Sequence, residues 1–366
     1  QVFDKTLALK FAPAIKELEG LGYPGISDPK LTITTKVMTS ETLKHDSAVQ
    51  YALSKTDNTL KLPEKYNGLG YQNLISMVFD LMGFRDDWMR EGKAKDTNTV
   101  IEPMHLVLVE EPEAHLHIQV QQVFIRQAYK VLTNHKFLKQ NLNFTTQLVI
   151  STHSSHIAIE TTFGNLRYFK RLPEGTECAV ATSKVINLSD VFGDSDQTNK
   201  FVTRYLQSTH CDLFFADAAI LVEGVAESML LPHFIRSKFP ELYQRYITIL
   251  GVNGRHAHRL SPLIEKLCLP TLVITDLDPA EKEGYHKSVV PKRGEGQISG
   301  NYAIAKWLMK EKDIDKLVDY SEDKKEFSFA SPYRFSIRLA YQTPVKVDFE
   351  GEEKEALPGT FEDCLI

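Results

Sequence analysis

Three carboxylates carry the strongest chemical signal in the sequence. Glu223 closes the run Ile220-Leu221-Val222, and Asp276 and Asp278 close Leu272-Val273-Ile274-Thr275. Short runs of Val, Ile and Leu mark strands buried on both faces of a parallel sheet. Both acidic groups are therefore expected at strand carboxyl ends, the edge at which open α/β sheets bind ligands. Gly224 permits a tight turn after Glu223, and Glu227 falls in the first turn of the next helix, near the first acid. That turn also offers backbone N–H donors to a phosphate. Asp276 and Asp278 lie two apart ahead of Pro279, so one can point into a shared site while the other serves a second ion or an outer contact. Carboxylates gathered in this way repel one another unless a hard cation neutralises them, and an all-oxygen donor set suits magnesium or manganese. Glu223, Glu227, Asp276 and Asp278 are thus candidate ligands for one or two divalent ions. Such ions polarise a phosphodiester, lower the pKa of an attacking water and stabilise the leaving oxygen. The plainer alternative is a set of ordinary solvated acids.

The elements around these acids alternate. A strand over Ala219 to Val222, a helix from about Ala226 to Phe239, a strand over Ile247 to Val252, a helix from about His258 to Leu267 and a strand over Thr271 to Thr275 predict a parallel sheet with right-handed crossovers, in a domain beginning near Asp212. Upstream, apolar spacing predicts a helix from Asp4 to Leu18, then a polar loop with Gly22, Pro24 and Gly25 and strands at Leu31 to Val37 and Tyr51 to Leu53. Gly68-Leu69-Gly70 breaks the chain before an apolar helix over Gln72 to Met82, and a charged loop from Arg85 to Asn98 follows. A buried strand from Met104 to Val109 runs into Glu110-Glu111-Pro112-Glu113, ahead of a helix over His117 to Leu132. The strand Gln147 to Ile150 ends in Ser151-Thr152-His153, and a polar stretch over Asp190 to Asn199 reads as a boundary or a bridging helix.

The 366 residues, 42% hydrophobic and 25% charged, are enough for two globular domains with sizeable cores. A formal net charge of −5 gives no overall basic footprint. A local basic groove is left to Lys292, Arg293, Lys306, Lys310 and Lys312, which equally read as a solvated face. The four cysteines have no paired spacing, which points away from zinc sites and disulfides and fits a cytoplasmic setting. No apolar run approaches the roughly 20 residues of a membrane span, so no membrane partner is expected.

Leu221-Val222-Glu223-Gly224 with Glu227, followed by Asp276-Leu277-Asp278, resembles the Toprim domain shared by topoisomerases, primases and several nucleases. The segment Leu106 to His117, with Glu110-Glu111-Pro112-Glu113 at its centre, resembles the Walker B and D-loop of ABC-type ATPases. By that likeness Glu110 holds the nucleotide magnesium, Glu111 polarises the attacking water and His153 senses the γ-phosphate. Tyr66-Asn67-Gly68-Leu69-Gly70 resembles a variant signature loop, in which Gly68 and Gly70 would approach the nucleotide of a dimer partner. No Gly-x-x-x-x-Gly-Lys-Ser/Thr phosphate loop occurs. Together with a start at Gln1, this leads to the expectation of a segment whose ATPase lobe is incomplete.

An ABC-type lobe followed by Toprim resembles the OLD (overcoming lysogenization defect) nucleases, class 2. Gly251 to Arg259, Ser299-Gly300-Asn301-Tyr302-Ala303-Ile304 and Gly359-Thr360-Phe361-Glu362-Asp363 carry the likeness further. The resemblance implies an α/β fold, with a partial ATPase lobe of mixed sheet and helices over 1–200 and a Toprim domain of parallel sheet flanked by helices over 212–366. It implies metal-dependent DNA cleavage in which Glu223, Asp276 and Asp278 are catalytic and Glu362 completes a two-metal site with Glu227. A role for Ser299 in orienting a ligand or phosphate, Mg2+ or Mn2+ at the nuclease site, and ATP with Mg2+ in the complete protein belong to the same expectation. So do DNA as substrate, a homodimer, a helicase-like partner, and a part in antiviral defence or DNA repair. The family's transition-state lysine is expected beyond Ile366, and neither Lys292 nor Lys306 is given that role. Another Toprim enzyme, such as a primase or topoisomerase, and an ABC-type clamp that binds DNA without cutting remain alternatives.

Overall fold

The computed structural model describes residues 2–20, 30–36, 46–52, 61–63, 66, 68–91, 100–172, 180–191, 205–206, 211–252, 256–282, 288–330, 333–349 and 351–365. The chain divides into two compact units, Gln1–Glu160 and Thr161–Ile366.

In the first unit, strands β1 (Lys30–Lys36), β2 (Asp46–Ala52) and β3 (Lys61–Pro63) form an antiparallel sheet, and β4 (Met104–Glu110) pairs in parallel with β5 (Thr145–Ser151). Helices Val2–Gly20, Leu69–Trp88 and Ile118–Thr133 bury Leu18, Leu74, Ile75, Val78, Leu81, Phe124, Ala128, Val131 and Leu132 together with Val107 of β4. The second helix is longer than Gln72 to Met82. It begins at Leu69, and the residues Arg85 to Trp88 expected in a charged loop form its last turn. Leu81, Arg85 and Trp88 share its buried face, so the apolar stripe continues through a charged residue whose charge is met inside. Arg85 Nη1 donates to Glu17 Oε1 (3.1 Å) and to the Val131 carbonyl (2.9 Å). Trp88 Nε1 reaches the Glu102 carbonyl at 2.8 Å.

The second unit opens with an antiparallel hairpin, β6 (Arg167–Leu172) and β7 (Thr182–Asn187). Sequence reading expected this segment with the ATPase lobe; it clusters with the second unit. Lys170 Nζ anchors it there, donating to the carbonyls of Leu267 (2.5 Å) and Cys268 (2.8 Å). The central sheet contains β8 (Ala218–Val222), β9 (Ile247–Gly251), β10 (Thr271–Ile274), β13 (Glu326–Phe329) and β14 (Phe335–Ala340), in the order β13-β14-β10-β8-β9. All neighbours are parallel except β13, an antiparallel edge. Two short pairs, β11 (Pro279–Ala280) with β12 (Ile298–Ser299) and β15 (Val345–Phe349) with β16 (Glu352–Ala356), extend from it. Helices Val225–Lys238 and Ser261–Leu267 are the crossovers, the latter led by a short turn, Ala257–Leu260. Residues 219–222 of β8 are buried throughout, as expected of a strand covered on both faces.

Asn67, 92–99, Asn253, Gly254, Arg255 and Ile366 lie outside the described residues.

Candidate metal site and nucleotide-facing loop

Parallel register sets the acids of the second unit side by side. Val222 pairs with Ile274, and Ile274 with Ala340, so Glu223, Thr275 and Tyr341 leave three adjacent strands at one level. Asp276 and Gln342 follow one residue later. The strand order 10-8-9 makes the C-terminal edge near β8 a point where crossovers depart to opposite sides, which opens a crevice for ligands.

Glu223 Oε1 accepts from the Thr275 hydroxyl and from Asn301 Nδ2 (2.6 Å). Asn301 Nδ2 also lies 3.3 Å from Asp278 Oδ2, and Asp276 Oδ1 accepts from Gln342 Nε2. Burial raises Glu223 to about 6, reinforced by the charges of Asp278 and Asp276 and opposed by its hydrogen bonds. Asp276 also rises to about 6, from burial first and then from Asp278, Glu227 and Glu362, against the Gln342 bond. Five carboxylates therefore share one electrostatic neighbourhood. Glu362 is exposed and starts a short turn, Glu362–Leu365. Its neighbour Asp363 holds that turn together, since Asp363 Oδ2 accepts from the N–H groups of Gly359 (2.9 Å) and Thr360 (3.0 Å). Asp278 sits at φ +47, a left-handed backbone that Asp tolerates better than most residues.

Among the described residues, no three His, Cys, Asp or Glu side chains stand in position to hold a metal ion as they are; the carboxylates turn instead to the neutral donors Thr275, Asn301 and Gln342. The chemistry of the set nevertheless fits a hard divalent cation, because every candidate ligand atom is a carboxylate oxygen. Glu227 supplies a specific sign of the fit. It is 4% exposed, and its Oε2 is buried with no hydrogen-bond partner among the described residues, a costly state for a carboxylate without a counter-charge. Its approach also explains Gly224, where a Cβ would collide with Glu227 Oε2.

Ser299 is buried at 3% exposure, and its Oγ accepts from the Asn301 N–H at 3.2 Å. Of the candidate basic residues, Arg293 is engaged by Asp319 (2.7 Å) and Glu355 (2.8 Å), and Lys306 Nζ lies 4.2 Å from the centre of the Tyr302 ring.

In the first unit, β4 ends in Glu110, and Glu111 turns sharply away at φ +44. The turn is fixed by Glu111 N–H to the Ser151 carbonyl (2.9 Å) and Ala114 N–H to the Glu111 carbonyl (3.1 Å). It presents Glu111 Oε1 3.6 Å from His153 Nε2, with both side chains mostly exposed. Glu113 ties the two loops together: Oε1 accepts from the His153 N–H (2.7 Å) and Oε2 from the Thr152 hydroxyl (2.9 Å). Gly70 packs against this turn so closely that a Cβ would lie 2.5 Å from the His115 carbonyl oxygen, whereas Gly68 has open space. Asn73 Nδ2 adds a bond to the Ala114 carbonyl at 2.7 Å. Glu110, Glu111, His153 and Gly70 thus belong to one loop cluster.

Residues 3–158 match the family model described as AAA ATPase domain, and residues 214–278 match that of the overcoming lysogenization defect protein-like TOPRIM domain. The chain carries an AAA ATPase domain over 3–158 followed by an OLD-like Toprim domain over 214–278. Two curated relatives, both named Endonuclease GajA, come from Bacillus cereus strains. The protein of strain HuB5-5 is 28% identical over 325 residues, 85% of this chain and 42% of that protein. That of strain VD045 is 24% identical over 220 residues, 60% of this chain and 33% of that protein. The chain therefore spans less than half the length of either relative.

In the unit that carries the OLD-like Toprim domain, sequence reading missed Thr275, Asn301 as a site residue, and Gln342. Neutral side chains at strand exits carry no signature of their own. A signal for Gln342 did exist, since Phe335-Ser336-Ile337-Arg338-Leu339-Ala340 alternates as a half-buried strand does and ends just before it.

Proposed function

We propose that this chain is part of a class 2 OLD-type DNA endonuclease, in which Glu223, Glu227, Asp276, Asp278 and Glu362 hold two Mg2+ or Mn2+ ions. The buried Glu227 Oε2, against Gly224, in the field of Asp276 and without a hydrogen-bond partner among the described residues, is the observation that carries the reading. Bound there, the ions would supply a water of lowered pKa and neutralise the leaving 3′ oxygen. The chain's own part is to concentrate negative charge at the sheet edge and to hold it in a partly dehydrated setting. Helix Val225–Lys238 starts at Gly224 without a side-chain cap, so its first N–H groups suit a phosphate oxygen of the substrate.

In the complete protein, Glu110 would hold the magnesium of ATP, Glu111 would orient the attacking water and His153 would respond to the γ-phosphate. Gly68 and Gly70 would act across a homodimer. Nucleotide state would then govern access of DNA, and a helicase-like partner and a role in antiviral defence or repair accord with this design. The ATPase lobe is read within 1–200, with Gln1–Glu160 as its compact body, and the nuclease domain as 212–366, the β6–β7 hairpin packing with the latter.

The test is nicking of supercoiled plasmid by the complete protein with Mg2+ or Mn2+. Glu223→Ala and Asp276→Ala each abolish it if the reading holds. Undiminished nicking by both variants would remove the nuclease assignment from this site, and a covalent protein–DNA adduct would point to topoisomerase chemistry instead.

A further inference from the structure

Two buried amides surround the acids of the Toprim edge, and both are oriented by the backbone. Asn301 is fully buried. Its Oδ1 accepts from the Ala303 N–H at 2.9 Å, which fixes the amide so that Nδ2 must face the acids. From there Nδ2 reaches Glu223 Oε1 (2.6 Å), Thr275 Oγ1 (2.7 Å) and Asp278 Oδ2 (3.3 Å). Gln342, 5% exposed and two residues past the end of β14, repeats the device. Its Oε1 accepts from the Leu277 N–H at 2.9 Å, and its Nε2 donates to Asp276 Oδ1. In each case a carbonyl oxygen is used up on a backbone N–H, and the NH2 group is left to meet a carboxylate.

We infer that Asn301 and Gln342 are positioning residues that select which carboxylate oxygens of Glu223 and Asp276 face a divalent cation. Each occupies one oxygen, Glu223 Oε1 and Asp276 Oδ1. No described hydrogen bond reaches Glu223 Oε2 or Asp276 Oδ2, and these are the atoms assigned to the ion. Both acids are thereby held as one-oxygen ligands with their rotamers fixed from behind. Asn301 does more, because it spans acids from two different strand ends and keeps them together when only neutral donors are present. The inference rests on the metal-site reading above.

Substitution by the isosteric acid separates positioning from a merely structural role. Asn301→Asp keeps an oxygen to accept the Ala303 N–H, and so keeps the local turn, but replaces the donor facing Glu223 with another acceptor. Gln342→Glu does the same at Leu277 and Asp276. Mn2+ binding to the full chain, followed by titration calorimetry and by the electron paramagnetic resonance signal of free Mn2+, is expected to weaken about 10- to 100-fold in each variant, the range for loss of an outer-shell partner. Circular dichroism and melting temperature establish that the variants are folded. Wild-type affinity in folded Asn301→Asp and Gln342→Glu would overturn the inference while leaving the metal site intact. Failure of the wild-type chain itself to bind Mn2+ would instead remove the metal-site reading. If Asn301→Asp does not fold, Gln342→Glu beyond the end of β14 decides the matter, with Gln342→Met as a version that loses the donor without adding charge.

Discussion

Each unit ends a parallel strand in acid, and the two treat that acid in opposite ways. β8 is buried on both faces, whereas β4, expected to be buried, keeps Val107 inside and leaves Leu106 and Leu108 exposed. Glu110 and Glu111 leave β4 into an open loop, where Glu111 Oε1 lies 3.6 Å from Nε2 of the exposed His153. Glu223 and Asp276 leave β8 and β10 into a crowded edge, where Thr275, Asn301 and Gln342 meet them and burial lifts both to about 6. Both edges turn on a residue in left-handed backbone, Glu111 at φ +44 and Asp278 at φ +47, a conformation kept where the surroundings enforce it. An open acid of the first kind waits for a ligand to supply its surroundings. A crowded acid of the second kind already has its neutral donors in place.

The sharpest way to break this contrast is to remove a crowded acid. Asp276→Ala or Glu223→Ala in the complete protein should cut nicking more than about 100-fold, beyond the loss expected for an outer-shell partner, while ATP hydrolysis continues. Glu111→Gln should do the reverse, lowering phosphate release from ATP by about 100-fold or more, as for loss of a general base, with Mn2+ binding to the Toprim edge unchanged.

A smaller effect follows from acidity. Glu223 and Asp276 titrate at about 6, above their ordinary values of 4.5 and 3.8. Because the folded-state values are raised, the neutral forms stabilise the fold. That contribution is complete below the ordinary values and is lost as pH rises through about 6. The melting temperature of the metal-free chain should fall between pH 5 and 7, and Mn2+ affinity should climb over the same interval as protons cease to compete. A flat affinity profile would mean that these two acids do not bind the ion. The smallest effect separates the two glycines of the first unit. Gly70→Ala should cost about 1–3 kcal/mol through collision with the His115 carbonyl, whereas Gly68→Ala, with open space, should stay within about 0.5 kcal/mol. Urea unfolding of the two variants measures the difference.

How far the site could be read from sequence follows from the kinds of residue involved. Glu223, Asp276 and Asp278 stood out because apolar strands end on them, and Glu110-Glu111 for the same reason. The β8, β9 and β10 strands were legible from their Val, Ile and Leu runs. Asn301 and Gln342 were not legible as site residues, since a neutral amide gains meaning only from what lies opposite it in space. Arg85 misled for a related reason: a charged residue reads as loop or surface, yet here it is 6% exposed, with its guanidinium bound to Glu17 and to backbone carbonyls. The extent of helix Leu69–Trp88 was lost with it, because the apolar stripe runs through that position.

The same arginine has a practical consequence. Glu17 Oε1 accepts from both Arg85 Nη1 and Asn134 Nδ2 (2.8 Å), linking the first helix to the ends of two later ones. Trimming the first helix to shorten an expression product would take Glu17 away from a buried guanidinium, leaving it to Asp86 (2.8 Å) and the carbonyls of Val131 and Asn134. Shortened versions that begin after Glu17 should therefore yield insoluble protein, and a design that keeps this one carboxylate and the Leu18 beside it should not.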